Sequence, residues 1–212
     1  MSPKPKLYTY FRSSAAYRVR IALALKRVAY DSLSVNLLKG EHKSEAYAAV
    51  NPQKRVPSLD IGDTILLQSP AILEYLDEVY PDPPLLPFGA VQRAKVRAVC
   101  SMIACDIHPL NNAGTLAYLK GVLGQDQAAV DAWYAHWIRE GLSAVERLLE
   151  PGPFAFGSRV TMADVYLVPQ VFNARRFNVP LDPYPRVAAV DAACADLEAF
   201  RVAAPGNQPD AT

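Results

Sequence analysis

The sequence predicts an α+β chain, with a small α/β domain first and an all-helical domain after it. Three observations carry the prediction. Residues 6–11, KLYTYF, alternate with the period of a strand, and short strand-like runs recur as far as residue 68. Residues 81–89, PDPPLLPFG, hold four prolines and read as a semi-rigid linker. Beyond residue 90 the apolar period is helical nearly throughout. The expected domains are residues 1–84 and 90–212, with the linker at 81–89.

Each element follows from its local pattern. From Ser14 the alternation of the first strand gives way to helical spacing at Ala15, Val19, Ala22 and Leu23, widened by Ile21 and Leu25. Residues 31–37, DSLSVNL, alternate again and predict a second strand. A short helix is expected within EHKSEAYAAVNP, stopped by Pro52. Residues 58–61 and 64–68 predict two strands joined by a tight hairpin at Gly62-Asp63. Ser69 then Pro70 predicts the next helix start, with Ser69 as N-cap and Pro70 at the first helical position. Further helices are expected near residues 91–107, 110–123, 126–149, 162–176 and 186–202. Thr161 and Asp164 form a capping-box variant at the start of the fourth of these. The tail, APGNQPDAT, reads as loose.

Composition excludes several classes of function. Of 212 residues about half, 51%, are hydrophobic, enough for packed cores. A net charge of +1 provides no field to recruit nucleic acid or an anionic membrane. No apolar run reaches the length needed to span a bilayer, and MSPKPKLYTY lacks a signal core. Three cysteines without CxxC, and three histidines without metal-ligand spacing, predict no metal site. The expectation is a cytoplasmic protein with reduced thiols.

The candidate chemistry sits where the first strand meets the first helix, FRSSAAYRVR. A helix N-terminus presents unpaired amides and a partial positive charge, so it attracts anions. Ser13 or Ser14 can add a hydroxyl donor there, and Arg12 and Arg18 can strengthen the field. One serine acting as a simple N-cap, with both arginines solvated, explains the stretch equally well. A serine nucleophile is disfavoured because there is no G-x-S-x-G elbow, and GxxxxGK[ST] is absent. Val56-Pro57 enters a strand, which suits either a special turn that offers free backbone groups to a peptide-like ligand or a simple edge-strand proline. Gln68-Ser69 opens a second helix N-terminus. Two helix N-termini and one backbone edge suit glutathione, through its thiolate, its γ-glutamyl carboxylate and its peptide backbone.

Three segments carry a family resemblance. YFRSSAAYRVRIALALK, NPQKRVPSLDIGDTILLQSPAILEYL and VTMADVYLVPQVFNARRFNVPLDPYP together resemble the zeta-class glutathione transferases, the family of maleylacetoacetate and maleylpyruvate isomerases. The resemblance covers nearly the whole chain. It implies a thioredoxin-like N-terminal domain, an all-helical C-terminal domain, a homodimer, glutathione as cofactor and a small dicarboxylate as substrate. By motif match, Ser13 holds the glutathione sulfur, with Ser14 its neighbour. Val56 pairs with the cysteinyl backbone, and Gln68 and Ser69 with the γ-glutamyl end. His108 and Asn112, in DIHPLNN, approach glutathione from the helical domain. Arg12 and Arg176 hold substrate carboxylates.

The chain also departs from the class pattern. Ala15 stands where the class has a cysteine, Ala16 where it has a further serine, and Tyr17 where it has tryptophan. Arg55 replaces a glutamine often found before Val-Pro. Ala113-Gly114 follows DIHPLNN, where maleylpyruvate isomerases tend to show arginines. The expected activity is glutathione-dependent isomerisation of maleylacetoacetate in tyrosine breakdown. Maleylpyruvate isomerisation, dehalogenation of small α-halo acids, and a non-catalytic glutathione-fold binding module are the competing readings.

Overall fold

The first twelve-residue helix is buried on almost every side, and the N-terminal unit is built around it. In the computed structural model, which describes residues 4–211, strands β1 (Lys6–Thr9), β2 (Asp31–Ser34), β3 (Ser58–Asp60) and β4 (Ile65–Leu67) form one sheet in the order β2-β1-β3-β4. β2 pairs parallel to β1; β3 and β4 pair antiparallel. Helix α1 (Ser14–Leu25) is the β1-to-β2 crossover that parallel pairing requires. It packs against α3 (Ser69–Val79) and α10 (Glu198–Ala203). This explains why Arg18 and Arg20 are buried within it alongside Val19, Ile21 and Leu23. Burying each such aliphatic side chain is worth roughly 1.5–3 kcal/mol. Lys26 caps the C-terminal end of α1, and its ammonium donates to Asp77 Oδ1 (2.6 Å) and the Pro83 carbonyl (2.7 Å). Helix α2 (Glu45–Val50) contributes Tyr47 to a separate cluster with Tyr10, Phe11, Val35 and Val56.

The chain divides into two compact units, one running to Pro84 and resuming at Ala195, the other Leu85–Cys194. The last residues of the helical region read from sequence therefore pack with the first unit. The expected helix over 186–202 is two helices, α9 (Pro185–Ala195) and α10, broken where the chain passes from one unit to the other. The tail as far as Ala211 is not loose. Gln208 is buried, and Asp210 accepts hydrogen bonds from the Phe11 amide (3.1 Å) and Ser34 Oγ (2.9 Å).

The second unit is helical: α4 (Ala90–Ser101), α5 (His108–Asn111), α6 (Ala113–Gly121), α7 (Gln127–Leu148), α8 (Met162–Arg176) and α9. Part of the expected linker belongs to it, because Leu85 and Leu86 are buried and the Leu85 carbonyl accepts from Met162 N (2.7 Å). Residues Met102–Ile107, expected to continue α4, form a π-helical turn in which His108 N bonds Ile103 O. Pro109 accounts for it: its ring would clash with the carbonyl four residues back, and widening the turn removes that clash. Cys105 is exposed on this turn, while Cys100 is buried. The capping box at α8 forms: the Asp164 carboxylate, fully buried, accepts from Thr161 N (2.7 Å), Thr161 Oγ1 (2.8 Å) and Ala155 N (2.7 Å). Burial pushes its pKa up, and those donors pull against the shift.

Candidate active site

The register of the sheet brings the N-terminal candidate residues to one end. Tyr8 pairs with Ser58, and Ser58 with Leu67. The residues after β1, before β3 and after β4 therefore leave the sheet at the same end. They are Arg12 to Ser14, Val56, and Gln68 to Ser69.

Ser13 is the N-cap of α1, with extended backbone (φ −71°, ψ 114°), and its Oγ accepts from Ala16 N at 3.2 Å. The cap uses an oxygen lone pair, so the hydroxyl proton remains able to donate to a ligand. Ser14 is the first helical residue and is buried. The two serines, equivalent in the sequence, thus have different surroundings. No acidic side chain lies in the first turn of α1 or of α3 to neutralise either N-terminus. Arg12 is exposed, its guanidinium 4.9 Å from the Phe11 ring centroid.

The second helix start differs from expectation. Gln68, not Ser69, is the N-cap of α3, and it takes a positive φ of 67°. Such backbone is strained for any residue with a side chain and is often found at ligand sites. The Gln68 amide is paired with Gln53 Oε1. Ser69 is the first residue of the helix, and its Oγ accepts from Arg18 Nη1 at 3.4 Å. Arg18 turns inward, so that a buried cation from α1 reaches the start of α3.

Val56 precedes a cis peptide to Pro57 and lies outside the β3 ladder. The carbonyl before it, of Arg55, accepts from Tyr47 Oη (2.8 Å) and Asn51 Nδ2 (2.7 Å). In a trans peptide the N–H points opposite to the C=O, so this grip directs the Val56 amide away from α2. The sequence reading missed Tyr47, on α2, and Asn51, the extended residue that ends it. It also missed Arg20 and Asp210, which hold the residues just before Arg12.

Three candidates lie in the helical unit. His108 is half-buried at the end of the π-helical turn. Asn112 is the N-cap of α6: its Oδ1 accepts from Thr115 N (3.0 Å) and its Nδ2 donates to the Pro109 carbonyl (2.8 Å). Arg175 and Arg176 end α8 but differ in use. Arg175 pairs with Asp191, whereas Arg176 lies 5.0 Å from the Phe177 ring centroid. Phe177 stacks on Tyr134 at 3.6 Å between centroids. No metal-binding group of His, Cys, Asp and Glu exists among the described residues.

A four-stranded sheet presenting two helix N-termini and a backbone edge at one end, followed by a helical unit, is the architecture of a glutathione transferase. Residues 3–78 match the glutathione S-transferase N-terminal domain and residues 127–190 the glutathione S-transferase C-terminal domain. A maleylpyruvate isomerase of Ralstonia sp is 53% identical over 97% of this chain and 99% of its own. A maleylacetoacetate isomerase of Pseudomonas aeruginosa is 51% identical over 97% and 98%. Among solved structures, the holo form of a maleyl pyruvate isomerase, described as a bacterial zeta-class glutathione S-transferase, superposes with a TM-score of 0.96 at 52% identity, covering 98% of this chain and 100% of that one. A maleylacetoacetate isomerase of Anaeromyxobacter dehalogenans with GSH (glutathione) in its active site gives 0.90 at 41% identity over 100% of both chains. The chain belongs to the glutathione S-transferase family, among its zeta-class isomerases.

Proposed function

We propose that this protein is a glutathione-dependent cis–trans isomerase converting maleylacetoacetate to fumarylacetoacetate. The observation that carries the reading is the convergence of Ser13, Val56 and Gln68-Ser69 at one end of the sheet, in a chain about half identical to isomerases of this kind. Bound glutathione supplies a thiolate that adds reversibly to the alkene, freeing the former double bond to rotate.

The protein's part is to keep that sulfur charged and the diacid oriented. A free thiol ionises near ~8.5, and lowering its pKa by about two units takes about 2.7 kcal/mol. A hydroxyl donating to a thiolate gives roughly 1.5–3 kcal/mol and a helix N-terminus up to ~2 kcal/mol. Ser13 and the first turn of α1 together are sufficient. Val56 pairs with the cysteinyl backbone, while Gln68 and Ser69 take the γ-glutamyl end. Arg12 and Arg176 bind substrate carboxylates and stabilise the negative charge that develops on the substrate. His108 and Asn112 serve binding rather than proton transfer. The half-used amide of Asn112 retains one N–H for that role.

Maleylpyruvate is the second substrate reading, favoured specifically by the 53% identity to the Ralstonia enzyme. Ala113 and Gly114, which bring no cation to the start of α6, argue against it. A spectrophotometric assay with each cis diacid, with and without glutathione, decides. Faster glutathione-dependent turnover of maleylacetoacetate is expected; turnover of neither would reject the isomerase. The same reading includes a cytoplasmic homodimer. Phe88 and Val91, 90% and 71% exposed, support a covered face on the helical unit. A monomeric mass by light scattering would refute the dimer. No helix among the described residues is long and apolar enough to cross a membrane.

A further inference from the structure

The turn that delivers Arg12 and Ser13 is held by two charged residues, and neither belongs to the set that the substrate chemistry calls for. Arg20 is 1% exposed. Its Nε donates to the Ala203 carbonyl (3.0 Å), its Nη1 to Thr9 Oγ1 (3.0 Å) and the Tyr10 carbonyl (3.4 Å), and its Nη2 to the Phe11 carbonyl (3.1 Å). From the other side, Asp210 accepts the Phe11 amide. The Tyr10–Phe11 peptide is thus gripped at both ends, by a cation on its oxygen and an anion on its N–H. Ser13 N in turn donates to the same Tyr10 carbonyl at 2.9 Å.

The tail that brings Asp210 is itself fixed. Gln208 Nε2 donates to the carbonyls of Val202 (2.8 Å) and Ala204 (3.0 Å), closing the chain back over the end of α10. Ala211 packs on the cluster that contains Tyr10, Phe11 and Val56. One short segment therefore touches the supports of both the Ser13 turn and the Val56 edge.

We infer that Asp210 and Arg20 are positioning residues, which set the Ser13 hydroxyl and the first-turn amides of α1 against the glutathione sulfur. The inference rests on the glutathione reading above. A hydroxyl aimed at a thiolate loses strength steeply with angle and distance, so a turn free to shift ionises the thiol less. The residue-to-ligand path runs Asp210, the Phe11 amide, the Tyr10 carbonyl, and Ser13.

The test measures glutathione binding by calorimetry and the pH midpoint for ionisation of bound glutathione by thiolate absorbance, alongside thermal unfolding. Asp210→Ala is expected to raise the Kd for glutathione and lower the bound thiolate fraction by about three- to tenfold, the span of one net hydrogen bond. Asp210→Asn, whose amide oxygen can still accept from Phe11, is expected to recover most of that loss. Wild-type affinity and midpoint in Asp210→Ala would overturn the inference. So would a loss that follows the fall in thermal stability and is not recovered by Asp210→Asn. Failure of the unaltered protein to bind glutathione would instead reject the reading on which the inference stands.

Discussion

Ser13 has two roles, and two measurements on one substitution tell them apart. Its oxygen caps α1 through Ala16 N, and its proton is left for a ligand. Ser13→Ala removes both. The lost cap costs about 1 kcal/mol of stability, a modest fall in the unfolding midpoint. The lost donor acts on chemistry: with the thiolate less stabilised, the pKa of bound glutathione rises, so activity falls at neutral pH and returns as pH is raised. An unchanged thiolate titration would show that another group holds the sulfur. Which serine caps could not be read in advance, because Ser13 and Ser14 present the same side chain one position apart. Backbone conformation, not residue type, separates them. The same limit applies at Gln68. Ser-Pro is a strong helix-start signal, but the cap falls one residue earlier, on a residue with a positive φ that its type does not announce.

Elements were legible where the signal is local. The strand-to-helix change at Ser14, the hairpin at Gly62-Asp63 and the capping box before Met162 all follow from residues a few positions apart. The π-helical turn was not, since Pro109 signals a break in the helix but does not say that the turn before it widens. That turn makes a close contact: a Cβ at Gly141 on α7 would lie 2.1 Å from Ile107 Cδ1 and 2.2 Å from Cγ1. Gly141→Ala is therefore expected to destabilise the helical unit by about 1–3 kcal/mol through overpacking, although alanine is the better helix former. Ile107→Ala should relieve the clash. A double-mutant cycle by denaturant unfolding would show coupling, with the pair less damaged than the sum. Additive effects would mean that the backbone yields instead. Because the same turn carries His108 towards Asn112, the Gly141 variant would also report whether the turn's shape matters to activity.

At the scale of the molecule, pattern reading found the two regions and missed how the chain is shared between them. Composition marks residues 204–212 as turn-like, and an arginine in the middle of a helix reads as solvated. Neither signal reveals a partner 183 positions away, which is the separation of Arg20 from Ala203. Helix α10 completes the first unit. Phe200 is 2% exposed, and its carbonyl accepts from Tyr17 Oη at 3.4 Å. Phe200→Ala should cost about 3–5 kcal/mol through the cavity it opens. The loss should appear in the unfolding of the unit that holds α1, measured by hydrogen exchange of α1 amides. Protection of α1 equal to wild type would show that α10 is only an attached ornament.

The return of residues 198–211 to α1 also has a consequence for biosynthesis. Domains generally form in the order in which they leave the ribosome. Here α1 emerges early, yet the Ala203 carbonyl that accepts from Arg20 Nε and the Phe200 side chain are made much later, so the opening eighty or so residues must wait, incompletely closed, while the helical portion is made. Nascent chains stalled before residue 198 should therefore be open to protease within α1, and become resistant once the closing helix has cleared the exit tunnel.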